Sequence, residues 1–271
     1  MDKHSVAGNA AKYTLNNIRQ DVLDILESED GRSFDEKKSA ILAYLKEAEE
    51  ASLEETLVTC AASDLDGCKI KSEFWSCGDT IQVSENTVLR PVDATDKAGF
   101  LRLKKESTLI ANSLIEDETY CNLLWKEHDE DKVLSLSVVR DGTYIGYCGI
   151  KNLTQKPWEI AIELLPEWTQ HGIGHTVLTA MLDSIRARTG ETVFRVRIEP
   201  TNLSSQKLFE RLGAVPNGIS QFWLKDQEGI DRCEEENLQQ IDDTLIEVAE
   251  KFGVEPRKLL SHVLEYQLLW N

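Results

Sequence analysis

Gly172 and Gly174 separate a stretch with strand periodicity from a stretch with helix periodicity, and this arrangement can bind an anion. The N–H groups in the first turn of a helix have no partner inside the helix, and the helix dipole adds partial positive charge there. Glycine has no side chain, so a ligand can come close to the backbone. The spacing therefore predicts a phosphate-binding turn, although an ordinary tight helix start would use the same glycines.

Two familiar phosphate-binding motifs are absent from this turn. It lacks the third glycine that a dinucleotide-binding fold requires, and it lacks the Gly-Lys-Ser/Thr sequence of a P-loop. The two glycines alone therefore do not identify the ligand.

The elements on both sides must position this turn. Residues 158–164 alternate between apolar and polar side chains, which predicts a strand with Ile160 and Ile162 on one face. Pro166 ends this strand because proline has no N–H group to donate to a sheet. A helix is predicted over residues 175–188, since apolar side chains recur there at helical spacing. These side chains are Val177, Leu178, Met181, Leu182 and Ile185.

A second strand and a second helix follow further along the chain. Residues 192–198 are rich in apolar and β-branched side chains, which predicts a strand. Asn202 is a favourable residue for a helix N-cap, and Gly213 is a favourable helix stop. The chain thus repeats the order of strand, turn and helix.

Together these stretches resemble the GCN5-related N-acetyltransferase (GNAT) family, especially its ribosomal-protein N-terminal acetyltransferase branch. The Glu-Ile-x-x-x-Leu-x-Pro-Glu stretch from Glu159, the Gly-x-Gly turn and the Asn-x-x-Ser…Leu-Gly stretch from Asn202 occur there in this order. The resemblance covers roughly residues 86–225. It implies an α+β fold, with a mixed, mostly antiparallel central sheet and flanking helices.

The resemblance implies a reaction in which an acetyl group moves from acetyl-CoA to a primary amine within a ternary complex. The pyrophosphate would lie on the main-chain N–H groups of the glycine turn, and the pantetheine arm would pair with the preceding strand. No metal is expected. The expected cofactor-binding residues are Leu164, Leu165, Thr169, Gln170, His171, Gly172, Ile173, Gly174, His175, Asn202 and Ser205.

Direct transfer needs a base for the amine and a donor for the departing thiolate. By resemblance, Glu159 is the first candidate for the base, acting through water if partial burial raises its pKa. Glu163 lies on the same strand face, nearer the expected thioester, and is the second candidate. Ser205 matches the serine that the ribosomal-protein branch uses as the acid. A solvent-facing or ion-paired carboxylate, or a serine making local helix bonds, would explain the same residues.

Four residues depart from the family pattern. Thr169 and Gln170 replace the usual Arg or Gln and the common glycine at the start of the loop. Phe209 replaces a tyrosine that some relatives use as an acid, and Asn217 stands where the ribosomal-protein branch has a glutamate. These departures leave two alternatives open: a catalytically impaired CoA-binding or interaction module, and an aminoglycoside-type small-molecule acetyltransferase.

Two helices and a hairpin are predicted ahead of the glycine turn. The opening strand begins at Thr87, and helices follow at about 95–112 and 117–127. In this family such helices wall the acceptor site, so Trp125 or His128 could line it. A hairpin is predicted from residues 133–139 to residues 143–151, because Asp141-Gly142 is a turn signal.

The regions outside the resemblance are predicted to be helical additions. Residues 1–85 form one of them, with a capping-box pattern at Ser33 and Glu36. Residues 226–271 are interpreted as a helical pair, with one helix from Asp231 to Phe252 and another from Pro256 to the end of the chain. This pair could cover a sheet edge, pack on the N-terminal helices or form a dimer contact.

The net charge of −18 is placed mainly in these two flanks. Residues 1–85 sum to −9, residues 86–225 to −1 and residues 226–271 to −8. A nucleic-acid partner is disfavoured because its phosphates need a basic footprint, whereas an acidic flank could attract a cationic amine. The six scattered cysteines, the lack of a signal region and the lack of an apolar span predict a cytoplasmic protein without a membrane partner.

Overall fold

The computed structural model describes residues 80–107, 118–221 and 227–271, together with isolated positions between 25 and 44. Eight strands of these residues form a single sheet. The strands are β1 (Ile81–Ser84), β2 (Thr87–Pro91), β3 (Leu134–Arg140), β4 (Thr143–Ile150), β5 (Trp158–Leu164), β6 (Val193–Ile198), β7 (Val215–Gln221) and β8 (His262–Leu269). The α-helices are α1 (Lys97–Ser107), α2 (Glu118–His128), α3 (Ile173–Thr189), α4 (Leu203–Arg211), α5 (Gln227–Glu236) and α6 (Asp243–Phe252).

The strand order in the sheet is β1-β2-β3-β4-β5-β6-β8-β7. Every neighbouring pair is antiparallel except β5 and β6, which run parallel. This is the mixed, mostly antiparallel sheet that the resemblance implied. No helix in the described ranges is long and apolar enough to cross a membrane.

Helices cover both faces of the sheet. The apolar residues at helical spacing predicted for α3 are fully buried in the main core, together with residues of α4 and α6. Each such side chain contributes about 1.5–3 kcal/mol through burial. Phe100 of α1 instead packs beside Tyr147 of β4, with 6.0 Å between their ring centroids. Successive side chains of a strand point to opposite faces of the sheet. Tyr147 therefore lies on the face away from Cys148, which belongs to the main core.

The predicted hairpin is confirmed as β3 and β4, and the glycines of β4 permit close backbone contacts. A Cβ atom on Gly149 would lie 1.8 Å from the carbonyl oxygen of Leu134. A Cβ atom on Gly146, whose φ is +149°, would lie 2.2 Å from the carbonyl oxygen of Glu163. Only glycine allows β3 and β5 to approach β4 this closely at these two positions.

The prediction of a helix from Pro256 to the end is wrong, because β8 occupies His262–Leu269 and lies between β6 and β7. The helical reading relied on apolar residues from Leu259 onward, which fit helical spacing over one turn. Along β8 itself, buried Leu264 and Tyr266 alternate with half-buried polar residues, which is strand periodicity. Residues 226–271 therefore contribute a strand to the central sheet, and the single predicted helix Asp231–Phe252 is split into α5 and α6.

The helical prediction for residues 1–85 is also wrong at its end, because Ile81–Ser84 is a strand paired with β2. Ser33 and Glu36 form the predicted capping box: the backbone N–H of Glu36 donates to the Ser33 hydroxyl at 3.3 Å, and the backbone N–H of Ser33 donates to the Glu36 carboxylate at 2.7 Å. Most of the remaining predicted N-terminal helices lie outside the described residues.

Candidate active site

The turn between β5 and α3 presents main-chain N–H groups to solvent. Gly172 is the N-cap of α3 and has a φ of 76°. Because glycine has no side chain, no side-chain oxygen accepts a hydrogen bond from the first turn at this position. The first bond of the helical ladder runs from the N–H of Thr176 to the carbonyl of Gly172, at 3.4 Å. The N–H groups of Ile173, Gly174 and His175 therefore precede the ladder and can bind an anion.

Residues 169–172 are exposed, so within the described part of the chain this turn is open to solvent. Gln170 has φ of 62°, a left-handed conformation that turns the backbone at this point. The hydroxyl of Thr169 donates to the carbonyl of Pro166 at 2.8 Å, which fixes the start of the turn. Gln170, His171 and His175 are all exposed around the turn.

A cavity of about 580 Å³ opens beside the turn. It is lined by residues 84–87 of the β1–β2 turn, by His171, Gly172, Ile173 and Thr176, and by Arg140. The guanidinium of Arg140 lies 5.7 Å from the ring centroid of Trp168, just before the turn. The lining of this cavity thus carries one charge of each sign, from Arg140 and Glu85.

β5 and β6 separate soon after they begin. Only Trp158 with Phe194 and Glu159 with Arg195 are paired across the two parallel strands. Beyond these pairs, residues 160–164 of β5 and 196–198 of β6 have facing edges that are not paired with each other, and we call this gap the β5–β6 cleft. An extended arm with amide groups can pair with the unpaired edges.

The residues predicted to contact the arm lie differently along β5. Leu164 is the last residue of the strand and borders the cleft. Leu165 is only 2 % exposed, its N–H donates to the carbonyl of Ile145, and its carbonyl accepts from the N–H of Trp168. Leu165 therefore has neither its backbone nor its side chain available to the arm, and residues 160–164 provide the open edge.

Asn202 and Ser205 stand on the other side of the mouth of the cleft. Because β5 and β6 are parallel, the turn after β5 and the start of α4 after β6 both lie at the carboxyl ends of these strands. Asn202 is the N-cap of α4, as predicted, and its side-chain oxygen accepts from the N–H of Ser205 at 3.0 Å. Phe209 is buried in the core behind them, and Asn217 is exposed on β7.

Glu159 is the centre of a cationic cluster. The residue is only 5 % exposed. Its carboxylate forms ion pairs with Lys151 at 2.7 Å, with Arg197 at 2.8 Å and with Arg195 at 3.4 Å. Burial raises the pKa of Glu159, but the ion pairs with Lys151 and Arg197 outweigh burial and lower the pKa below its ordinary value. The raised pKa expected of a base at Glu159 is therefore not present.

We expect Glu159→Gln to lower the free energy of unfolding by about 2 kcal/mol, because it leaves Arg195 and Arg197 without their shared counter-charge. Both arginine side chains are more than a quarter exposed, so the loss is smaller than for a fully buried pair. Urea unfolding measures the change. A catalytic base at this position would instead give normal stability with a large loss of turnover.

Glu163 lies on the other half of β5 with different partners. Its carboxylate accepts hydrogen bonds from the ammonium of Lys104 at 2.6 Å and from the hydroxyl of Tyr147 at 2.5 Å. Burial raises the pKa of Glu163, but Lys104 and the Tyr147 hydrogen bond outweigh it, so the pKa lies below the ordinary value. The Glu163 side chain is 35 % exposed, so an acceptor can reach it.

An aromatic cluster from α1, α2 and β4 adjoins this carboxylate. His128 stacks on Phe100 with 4.2 Å between ring centroids, and it meets the edge of Tyr147 at 4.5 Å. Trp125 is half-buried and lies 5.6 Å from the ring centroid of Phe100. His128 is 7 % exposed and packs into the cluster. Of the two residues predicted to line the acceptor site, Trp125 is therefore the more accessible.

The burial of His128 predicts a loss of stability in acid. Burial, reinforced by the positive charge of Lys104, lowers the pKa of His128 to about 4. The unfolded chain, with an ordinary histidine pKa, binds the proton first as the pH falls, so stability is complete above about pH 6.5 and decreases toward pH 4. We expect the titration of His128 to lower the free energy of unfolding by about 2 kcal/mol between pH 7 and pH 5. Urea unfolding of the wild type and of His128→Phe at both pH values measures the difference, which should be smaller in the variant.

Two residues of this site, Tyr147 and Lys104, were not predicted from the sequence. Tyr147 pairs directly with Glu163 across β4 and β5, so the alternation of β4 together with the strand register could have identified it. Lys104 reaches Glu163 from α1, and no sequence pattern gives the placement of a helix on a sheet.

Residues 86–215 match the family description "Acetyltransferase (GNAT) domain". A search of curated proteins found no match. In the described ranges, no group of three or more histidine, cysteine, aspartate or glutamate side chains is arranged to hold a metal ion.

Several solved structures are similar in fold. RimL, a ribosomal L7/L12 alpha-N-protein acetyltransferase in complex with coenzyme A, is 14% identical; the match covers 71% of this chain and 98% of that chain, with a TM-score of 0.48. Mycobacterium smegmatis RimJ in complex with CoA-disulfide is 16% identical, with 68% and 81% covered and a TM-score of 0.44. The microcin C7 self-immunity acetyltransferase MccE, in complex with acetyl-CoA and AMP, is 12% identical, with 69% and 94% covered and a TM-score of 0.46.

The family match extends over both strands of the β5–β6 cleft, the glycine turn and all of α4. It begins in the turn between β1 and β2 and stops at the first residue of β7. Residues 86–215 of this chain therefore match the acetyltransferase (GNAT) domain model.

Proposed function

We propose that this protein transfers an acetyl group from acetyl-CoA to a primary amine by direct attack within a ternary complex. The observation that carries the proposal is the β5–β6 cleft, whose mouth is flanked by the exposed turn at Gly172 and by the N-cap Asn202. This arrangement offers donors for a diphosphate and an unpaired strand edge for an amide-bearing arm. When bound, acetyl-CoA supplies the activated thioester.

Residues of this chain carry out the remaining steps. The N–H groups of residues 170–175 hold the diphosphate, and the edge of residues 160–164 orients the arm. Glu163 accepts the proton of the attacking amine, and Tyr147 orients this carboxylate through its hydroxyl. Ser205 is proposed to donate a hydrogen bond to the departing thiolate, because it lies at the mouth of the cleft.

The pKa of each glutamate is lowered by its cationic partners, so the choice between them rests on access. Glu163 is the better candidate for the base because its side chain is 35 % exposed, whereas that of Glu159 is 6 % exposed. Glu159 is closed in by three cations, and its role is to anchor Arg195 and Arg197 at the point where β5 and β6 separate. Ala161 lies between the two glutamates on the same strand face, and its small side chain leaves space there for an acyl group.

The acceptor is proposed to enter over the face that carries Glu163, beside α1 and α2. A small amine and a peptide N-terminus both fit this description, since each presents one primary amine. The acidic flanks favour the approach of a cation, and the proposed location is the cytoplasm.

Calorimetry with acetyl-CoA, followed by free-thiol release from a panel of amines, tests the proposal. We expect binding at one site per chain and turnover with at least one small amine or N-terminal peptide. Binding without turnover on any acceptor would support the interaction module, and turnover restricted to aminoglycosides would support an antibiotic-modifying enzyme. No binding at millimolar acetyl-CoA would contradict the assignment.

A further inference from the structure

The ammonium group of Lys104 already occupies a site that is suited to a primary amine. It donates to the carboxylate of Glu163 at 2.6 Å and to the hydroxyl of Tyr147 at 3.1 Å. It also lies 5.2 Å from the ring centroid of Tyr147 and 5.4 Å from that of Phe100. The Lys104 side chain is only 20 % exposed, so this site holds it out of bulk solvent.

These contacts are the ones that recognise a primary ammonium group. A carboxylate and a phenol accept its protons, and two aromatic faces stabilise its charge. The neighbouring Lys105 shows the contrast, since it is exposed on the same helix and no partner holds its ammonium in the described part of the chain.

The site also lies close to the expected position of the acyl group. Glu163 borders the β5–β6 cleft, and Ala161 is two residues away on the same face, about 7 Å along the strand. The Lys104 side chain already extends from α1 to Glu163, so its nitrogen would reach the acyl group by rotation of the side chain about its own torsions. The amine and the base that would deprotonate it are already in contact.

We propose that Lys104 is an internal acceptor, and that the protein acetylates its own Lys104 in the absence of an external amine. The inference rests on the proposed function, because it uses the same base and the same acetyl donor. Lys104 transfers one ammonium proton to Glu163, and its nitrogen then attacks the thioester carbonyl. The new N–C bond forms, the C–S bond breaks, and the second nitrogen proton goes to the CoA thiolate, which gives N-acetyl-lysine and free CoA.

Acetylation would change the site itself. The acetyl-lysine carries no charge, so its ion pair with Glu163 is lost and an external amine no longer competes with Lys104 for the carboxylate. Self-modification would therefore convert a site filled by its own lysine into one open to substrate.

Incubation of the full-length protein with acetyl-CoA, followed by intact mass measurement and peptide mapping, tests the inference. We expect one added acetyl group, located on Lys104, at a rate per molecule that does not change when the protein is diluted. Desulfo-coenzyme A, which has no thiol and cannot carry an acetyl group, should block the labelling by competition. Lys104→Arg should abolish it, whereas the matched variant Lys105→Arg should be labelled at the wild-type rate. Glu163→Gln should slow the labelling by about 100-fold.

Three outcomes would overturn the inference. One is a Lys104 that stays unmodified while the protein binds acetyl-CoA and acetylates external amines; the proposed function would then stand alone. A second is labelling of Lys105 and other exposed lysines to the same extent, since this indicates non-enzymatic chemistry. The third is the absence of any acetyl-CoA binding, which would overturn both proposals.

Discussion

Glu163→Gln is expected to lower kcat for the acetylation of an external amine by about 100- to 1,000-fold, because a glutamine cannot accept the amine's proton. Glutamine has nearly the same shape and can still accept a hydrogen bond from Tyr147, so the aromatic cluster should keep its packing. The Kd for acetyl-CoA should change by less than about twofold, since the diphosphate and arm contacts are main-chain groups elsewhere. Steady-state kinetics and calorimetry measure the two effects separately.

Glu167→Gln is the matched control for this prediction. Glu167 is an exposed glutamate shortly after the end of β5, where it forms a surface ion pair with Arg102 at 2.8 Å. The same chemical change there should leave kcat and stability close to the wild-type values. Equal kcat in Glu163→Gln and Glu167→Gln would exclude Glu163 as the base.

Gln170→Glu is expected to weaken acetyl-CoA binding by about tenfold or more, because a new negative charge stands beside the diphosphate site. Two unit charges about 5 Å apart repel by about 1 kcal/mol even in water, and the diphosphate carries more than one charge. Gln170 is exposed and its side chain is not part of the core, so thermal unfolding should be unchanged. Calorimetric titration with acetyl-CoA at low and high salt measures the loss, which should be smaller at high salt.

Ala187→Glu provides the control for the charge prediction. Ala187 is exposed near the far end of α3, so this variant has the same net charge as Gln170→Glu but places the new carboxylate away from the turn. Its Kd for acetyl-CoA should equal that of the wild type. A loss of affinity of the same size in both variants would show that net charge, rather than a diphosphate at the turn, controls binding.

The sequence was most informative where local rules decide the structure. Alternation over residues 158–164, the proline that ends β5, the glycines of the turn and the Asn202 N-cap each act within a few residues of themselves. These features led to the confirmed strand, turn and helix order. The separation of β5 and β6 beyond Glu159 is visible only in the structure, since no local pattern encodes it.

The errors arose where a short apolar segment fits two periodicities. Leu259 to Leu264 satisfies helical spacing, and Leu264 to Leu268 satisfies strand spacing, so one short window cannot distinguish them. β8 is a strand because β6 and β7 both pair with it, and these contacts are distant in sequence. The same limit explains why β8 was assigned to a helix.

The electrostatic roles of the two glutamates could not be predicted either. Glu159 and Glu163 are equivalent in the strand pattern, since both lie on the same face of β5. Their environments differ because Arg195 and Arg197 come from the neighbouring parallel strand and Lys104 comes from α1. Only the assembled sheet with its covering helix distinguishes an anchored carboxylate from an accessible one.

A crystal structure with bound acetyl-CoA tests the central claim most directly. The account predicts the diphosphate within hydrogen-bonding distance of the N–H groups around Gly172, with the arm's amides paired to residues 160–164 inside the β5–β6 cleft. A diphosphate bound elsewhere, or β5 and β6 joined by continuous hydrogen bonds with the arm outside them, would contradict it.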